Sequence, residues 1–197
     1  VILRKFIAFA LLLCILGTLG AIFWWTEVQY LLPTPIPQGY QEVPVESVIC
    51  EETALTTSSK PAFYHFFTTN CPCSRFNLDH FNSLKRNYGD SIDFYVVVPH
   101  EDDLSKAEGY FDGDTRLIRD VNQELAIQMG VYSTPQAVIL KPDCSLYFRG
   151  NYNKARYCTD PLSNFAQMAL DSLRHGATPP QFGPLATIAY GCGISYF

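Results

Sequence analysis

Two cysteines one residue apart, Cys71 and Cys73 in Asn70-Cys71-Pro72-Cys73-Ser74, are the residues of this chain best suited to chemistry. They fall where an aromatic run, residues 62–67, gives way to a stretch of helical periodicity. A thiol at a helix N-terminus faces unpaired backbone N–H groups and the positive end of the helix dipole, and both favour thiolate over thiol. The thiolate is the form that attacks disulfides, binds soft metals and becomes oxidised. A bond between Cys71 and Cys73 would close a ring across a single residue, strained and easily reduced given how narrow disulfide geometry is. The plainer reading of the pair is two structural cysteines held in stable disulfides.

The seven cysteines are many for 197 residues. Cys14 lies in an apolar run and reads as an inert small side chain. The other six, Cys50, Cys71, Cys73, Cys144, Cys158 and Cys192, form an even set of the kind that pairs in an oxidising compartment, in connectivities that sequence does not choose between. Cys144 and Cys158 flank one strand region and form a candidate pair. Cys192, set in Tyr190-Gly191-Cys192-Gly193, has the flexibility to reach Cys50 or the Cys71 site.

The elements that must position these thiols follow from hydrophobic period. Residues 62–67 read as a strand. Residues 74–88 place Leu78, Phe81, Leu84 and Tyr88 on one helical face, with Gly89 at the exit. Residues 92–98 are β-branched and aromatic, stopped by Pro99. Residues 115–130 read as a second amphipathic helix with Leu117, Ile118, Val121, Leu125 and Met129 inward. Residues 136–140 and 146–149 flank the turn Lys141-Pro142-Asp143-Cys144-Ser145 and predict a hairpin. Asp160-Pro161 is a helix start, with Leu162, Phe165, Ala169 and Leu173 as its buried stripe and Gly176 as its end.

The resulting order is strand, helix, strand, helix, hairpin, helix, an α/β arrangement whose natural solution is a mixed sheet flanked by helices. With Thr68-Thr69-Asn70-Cys71-Pro72-Cys73 after a strand and Thr134-Pro135 before the hairpin, the chain resembles the thioredoxin-like superfamily, including the membrane-anchored redoxins of the bacterial periplasm. The resemblance spans roughly residues 48–176. It implies a cis Pro135 opposite the active cysteine and protein thiols or disulfides as partners, with Cys71, Cys73 and Pro135 as the catalytic set. It implies no cofactor and no resident metal. The family's usual Cys-x-x-Cys is broken here, because Ser74 stands at the second cysteine position. Cys73, Cys158 or Cys192 is left to resolve Cys71, or Cys71 acts alone.

Two other chemistries of the superfamily are weaker matches. Thr68 precedes Cys71 by three residues, as in the Thr-x-x-Cys element of its peroxidases, but Tyr64 stands where their Pro is expected. Copper-delivering relatives space their cysteines differently and add a distant His. His80 lies about 10 Å along the helix from Cys73, too far to share an ion with it, and His65 and His100 have no sequence signal of ligation. Thioredoxins use a carboxylate beneath the active cysteine for proton transfer, and the sequence places neither Asp79 nor Asp93 there; the acidic run Glu101-Asp102-Asp103 reads as a solvated loop, not a catalytic pair.

The N-terminal segment sets the compartment. Residues 6–25 carry no charge, are preceded by Arg4 and Lys5 and close on Trp24 and Trp25. The run matches the hydrocarbon thickness of a bilayer, and the flanking positive charges predict a cytoplasmic N-terminus. A cleaved signal peptide is the competing reading. The expected organisation is an anchor over residues 1–26, a Pro-rich spacer over 27–45, a thioredoxin-like domain over 46–176 and a Gly/Pro/aromatic tail over 177–197. The first residue is Val, so the true start is expected upstream. A net charge of −5 with no Lys/Arg cluster argues against nucleic acid as a partner. The expectation is a periplasmic thiol-disulfide oxidoreductase on a single inner-membrane span. Its alternative is a non-catalytic accessory subunit of a larger membrane complex.

Overall fold

The computed structural model describes residues 2–49, 59–99, 104–155 and 158–194. Cys50, His100 and the acidic run Glu101-Asp102-Asp103, singled out above, lie outside the described residues.

Helix α1, Ile2–Thr26, has 25 residues and no buried side chain. At 1.5 Å per residue it is about 37 Å long, and it is apolar enough to cross a membrane. Its two threonine hydroxyls, on Thr18 and Thr26, each donate to the carbonyl one turn back, at 2.9 Å. Those bonds satisfy the hydroxyls within the helix, as a surrounding without water requires.

From Pro33 onward the chain forms a second unit built on a five-stranded sheet. Strand β1 is Ala62–Phe66, β2 Asp93–Pro99, β3 Arg116–Asp120, β5 Gln136–Leu140 and β6 Leu146–Gly150, in the order β3-β2-β1-β5-β6. The two remaining strands, β4 at Ser133–Thr134 and β7 at Cys192–Gly193, form a separate two-stranded ladder. The pairs β1–β2 and β2–β3 are parallel, whereas β5 is antiparallel to both β1 and β6. Being central, β1 is buried on both faces, which is why its sequence is continuously aromatic rather than alternating. Phe63 and Phe67 join Phe94, Val96 and Ile139 in one core layer. Tyr64 and Phe66 join Val97, Val138 and Leu140 in the other. Period-2 side-chain geometry thus makes one strand serve two cores.

Helices α3, Leu78–Tyr88, and α6, Phe165–Arg174, bury Phe81, Leu84, Ala166, Ala169 and Leu170 in the first layer. The short helix α4, Leu104–Glu108, adds Ala107 to the same layer. Helix α5, Glu124–Gln128, covers the second with Leu125 and Ala126. Residues before β1 run along the domain. Glu46 N–H donates to the Leu146 carbonyl at 2.7 Å and Ile49 N–H to the Cys144 carbonyl at 3.0 Å. Arg149 donates to the Val43 carbonyl at 2.9 Å.

Three sequence expectations are corrected. Residues 115–130 are not one helix: Arg116–Asp120 is the parallel strand β3, and only Glu124–Gln128 is α-helical. Leu117 and Ile118, read as neighbours on one helical face, point to opposite faces of the strand and pack in different layers. Asn122 and Gln123, at φ 56° and 58°, break the helical run. Asp120 then restarts it by accepting from Leu125 N–H at 2.8 Å and Ala126 N–H at 3.0 Å. Helix 74–88 is interrupted at Asn77, leaving the separate five-residue α2, Pro72–Phe76. Asp160 does cap, accepting from Leu162 N–H, but it caps a 3-10 turn, Pro161–Ser163. That turn projects Leu162 into solvent at 90% exposure, so Leu162 is not part of the buried stripe.

Candidate functional site

Cys71 is the N-cap of α2, with extended backbone at φ −92° and ψ 116°, and Pro72 supplies the first helical residue. Proline fits there because its missing N–H would have lacked a helical partner anyway. The preceding turn is closed by Cys71 N–H donating to the Thr68 carbonyl at 3.2 Å. Ser74 is fully buried. Its hydroxyl lies 3.4 Å from the donating N–H of Thr68. At the position where a second cysteine is usual, this chain has a small hydroxyl bracing the loop that carries Cys71.

Opposite this loop, the Thr134–Pro135 peptide is cis, as the resemblance implied. Thr134 belongs to β4. Its carbonyl oxygen lies 3.5 Å from Cys71 Sγ, and its hydroxyl donates to Thr68 Oγ1 at 3.2 Å. The cis-proline loop and the Cys71 loop are therefore tied side chain to side chain across the sequence. The Thr68 hydroxyl, the peroxidase-like element of the sequence, is engaged in this tie.

Cys71 is oxidised, and its partner is Cys192, 121 residues away with a Cα–Cα separation of 5.9 Å. Strand β7 delivers that partner by pairing antiparallel with β4, with Thr134 opposite Cys192 and Ser133 opposite Gly193. Sequence reasoning placed Cys192 only among several reachable partners. Nothing local to Gly191-Cys192-Gly193 reveals that it lies against Ser133–Thr134, because the pairing is created by tertiary topology.

Cys73 carries an unoxidised thiol and is 5% exposed. Its carbonyl accepts from Asn77 Nδ2 at 3.0 Å, while Asn77 Oδ1 accepts from the Cys158 thiol at 2.9 Å. Cys158 is also unoxidised, and burial pushes its thiol up to about 12, which keeps it protonated and a poor nucleophile. Cys144 is disulfide-bonded, so the Cys144–Cys158 pair considered from sequence does not form. At φ 62°, Cys144 occupies a left-handed position in the turn between β5 and β6.

His65 is fully buried in β1 and shares a 2.7 Å hydrogen bond, through Nδ1, with the Tyr152 hydroxyl. Burial lowers its pKa to about 3, so the ring is neutral. Burial lowers His80 too, and its ring lies against Tyr152 with centroids 5.6 Å apart. Asp79 is exposed on α3, and Asp93 pairs with Arg116 at 3.7 Å, beside the end of β1 remote from Cys71. Among the described residues, no group of three or more His, Cys, Asp or Glu is placed to hold a metal ion.

The family model for the domain of unknown function DUF6436 matches residues 42–193, which include both members of the Cys71–Cys192 bond. No curated protein matches the chain. Among solved structures, the chain is similar to an uncharacterized conserved protein from Geobacillus kaustophilus, with 20% identity and a TM-score of 0.59 over 72% of this chain and 79% of that one. It is equally similar to a hypothetical protein from Sinorhizobium meliloti, with 18% identity and a TM-score of 0.59 over 72% and 82% of the two chains. A further match is the thioredoxin domain of a thiol-disulfide oxidoreductase from Bacteroides vulgatus, with 12% identity and a TM-score of 0.49 over 60% and 96%. The fold is thioredoxin-like, in keeping with a mixed sheet whose antiparallel strand β5 follows a cis-proline.

Proposed function

We propose that this chain, which belongs to the DUF6436 family, exchanges thiols and disulfides through Cys71, with Cys192 as the partner that closes its oxidised state. The observation that carries the reading is the Cys71–Cys192 bond at an N-capping cysteine, seated against the cis-proline loop. In the reducing direction, a protein dithiol gives two electrons and two protons to this bond. Its first thiolate attacks one sulfur of the pair and the other leaves as thiolate. Its second thiolate then releases the domain as two thiols and departs as a disulfide. Pro135 shapes the edge against which the partner sulfur sits. Cys73, buried beside Asn77, tunes the helix start rather than resolving Cys71.

Export of this domain on α1, with Arg4 and Lys5 retained on the cytoplasmic side of a bacterial inner membrane, fits the charge pattern and the oxidising surroundings that a disulfide needs. Cysteine labelling with a membrane-impermeant reagent tests that orientation. The exchange reading is tested on the full chain in detergent micelles, equilibrated in dithiothreitol buffers of graded potential, alkylated and mapped by mass spectrometry. Cys71 and Cys192 are expected to become alkylated together in one two-electron transition while the domain stays folded. A bond that no buffer reduces short of unfolding overturns the reading.

The burial of Cys71, at 1% exposure beneath the tail, favours one second reading. In it the bond is structural, and the domain is a non-catalytic accessory subunit of a larger membrane complex. That reading expects the irreducible outcome, together with partner subunits retained through purification in mild detergent.

A further inference from the structure

The tail reaches Cys71 in two stretches that are held in different ways. The first is helix α7, Pro184–Thr187, which packs on the end of β6. Asn151 N–H donates to the Ala186 carbonyl at 2.8 Å, and Asn151 Nδ2 donates to the Leu185 and Ile188 carbonyls at 3.0 and 2.6 Å. The approach is close: a Cβ on Gly150 would lie 2.2 Å from the Ala186 oxygen. Ala186 and Ala189 are buried. This stretch is part of the packed domain.

The second stretch, residues 190–194, has little of its own to hold it. Its strand pairing with β4 is two residues long. Ile194 N–H adds a bond to the Tyr132 carbonyl at 2.9 Å, and Tyr190 makes an isolated bridge to Pro33. The Thr34 hydroxyl, 3.0 Å from that of Ser133, also donates to the Gly191 carbonyl at 3.3 Å. Ile194 is its buried apolar side chain. So short a ladder is marginal without further support, and that support is the Cys71–Cys192 bond.

We infer that residues 190–194 are a redox-gated strap, hinged after α7, which covers the Ser133–Thr134 edge and Cys71 while Cys192 is bonded and lifts away when that bond is reduced. The inference rests on the exchange reading for its trigger. A dithiol supplies the two electrons and two protons that convert the bond into two thiols. The strap is then held only by its two-residue ladder, the Pro33 and Thr34 contacts and Ile194. Opening uncovers Cys71 together with the unpaired backbone groups of β4. Those groups suit an incoming extended segment, because they are the ones that β7 satisfies in the closed state.

Gly191 sets how closely the strap can lie. Its φ of 139° is one that side-chain-bearing residues rarely adopt, and a Cβ there would sit 2.2 Å from the Thr134 oxygen and 3.4 Å from Pro135 Cδ. Any larger residue pushes the strap off the cis-proline loop.

Hydrogen exchange of the full chain in detergent micelles tests the strap, comparing the oxidised protein with Cys192→Ser, Cys71→Ser and Gly191→Ala. In the two serine variants, amide exchange in residues 190–194 is expected to rise by about tenfold or more, with Ser133 and Thr134 following. Residues 151 and 184–188 should stay protected at the level of the core amides of β1 and β5 in the same variant. In oxidised Gly191→Ala, residues 190–194 should exchange faster than in the oxidised parent, because the added Cβ meets the Thr134 oxygen in the closed arrangement. Undiminished protection of residues 190–194 in both serine variants overturns the inference, as does loss of protection at residue 151 as complete as that of residues 190–194 while the amides of β1 stay protected, which would make the whole tail one unit with no hinge. Neither result depends on whether a dithiol buffer reduces the bond, so failure of the exchange reading is seen separately in the redox titration.

Discussion

Replacing Cys192 by serine removes a cross-link that closes 121 residues of chain. In the chain-entropy treatment, a loop of that length restrains the unfolded ensemble by about 5 kcal/mol at 25 °C. Residual structure in the unfolded chain trims the figure, so the expected loss is about 3–5 kcal/mol. That is a large share of the ~5–15 kcal/mol typical of a domain. With a urea slope of about 2 kcal/mol/M, the midpoint should fall by about 1.5–2.5 M. Both tryptophans, Trp24 and Trp25, belong to α1 and not to the domain. The assay is therefore far-UV circular dichroism of the full chain in detergent micelles, without reductant so that the bond at Cys144 survives in both proteins. A Cys192→Ser midpoint within about 0.3 M of the parent would show instead that the chain gains nothing from the cross-link.

Acid should destabilise the domain through His65. Its folded pKa of about 3 is below the ordinary value near 6.5, so the contribution is fully present above pH 6.5 and is lost as pH falls toward 3. By pH 4.5 the loss is about 2–3 kcal/mol. Unfolding curves at pH 7 and 4.5 check this, and His65→Asn should flatten the difference; a parent protein equally stable at both pH values contradicts it. Ser74→Cys supplies a thiol two residues beyond Pro72, and non-reducing peptide mapping should find Cys71 bonded to the introduced thiol at the expense of Cys71–Cys192. Mapping that still finds only Cys71–Cys192 counts against the loop geometry. Asp120→Ala strips the acceptor from two N–H groups at the start of α5 and should cost about 1–2 kcal/mol in a denaturation measurement, with a cost near zero contradicting the cap.

Much of the scaffold was legible because it is encoded locally. The aromatic run of β1, the β-branched run of β2, the turn between β5 and β6 and the stripe of α3 all declare their period within a few residues. Pro135 and the place of Cys71 before a helix were readable for the same reason. Strand β3 was not, because Arg116-Leu117-Ile118-Arg119-Asp120 has charged ends and merges with a helical pattern beyond it. What separates the two is a left-handed turn at Asn122 and Gln123, and neither residue is a glycine that would announce it. Leu162 misled because an Asp-Pro start is compatible with a 3-10 turn as well as an α-helix. The Cys71–Cys192 pair was the least legible feature, since periodicity carries no information about which strand edge a distant tail will find.

The span between the bonded cysteines also has a consequence for the life of the chain before it is finished. At about 5–20 residues per second, Cys192 is synthesised roughly 6–24 s after Cys71. Cys73 and Cys158 are both made within that interval, yet neither is bonded to Cys71 in the finished fold. There Cys73 is buried beside Asn77, and the Cys158 thiol, kept protonated by burial, donates to the same side-chain amide. In the finished fold it is thus the last-made cysteine, and not Cys73 or Cys158, that is bonded to Cys71.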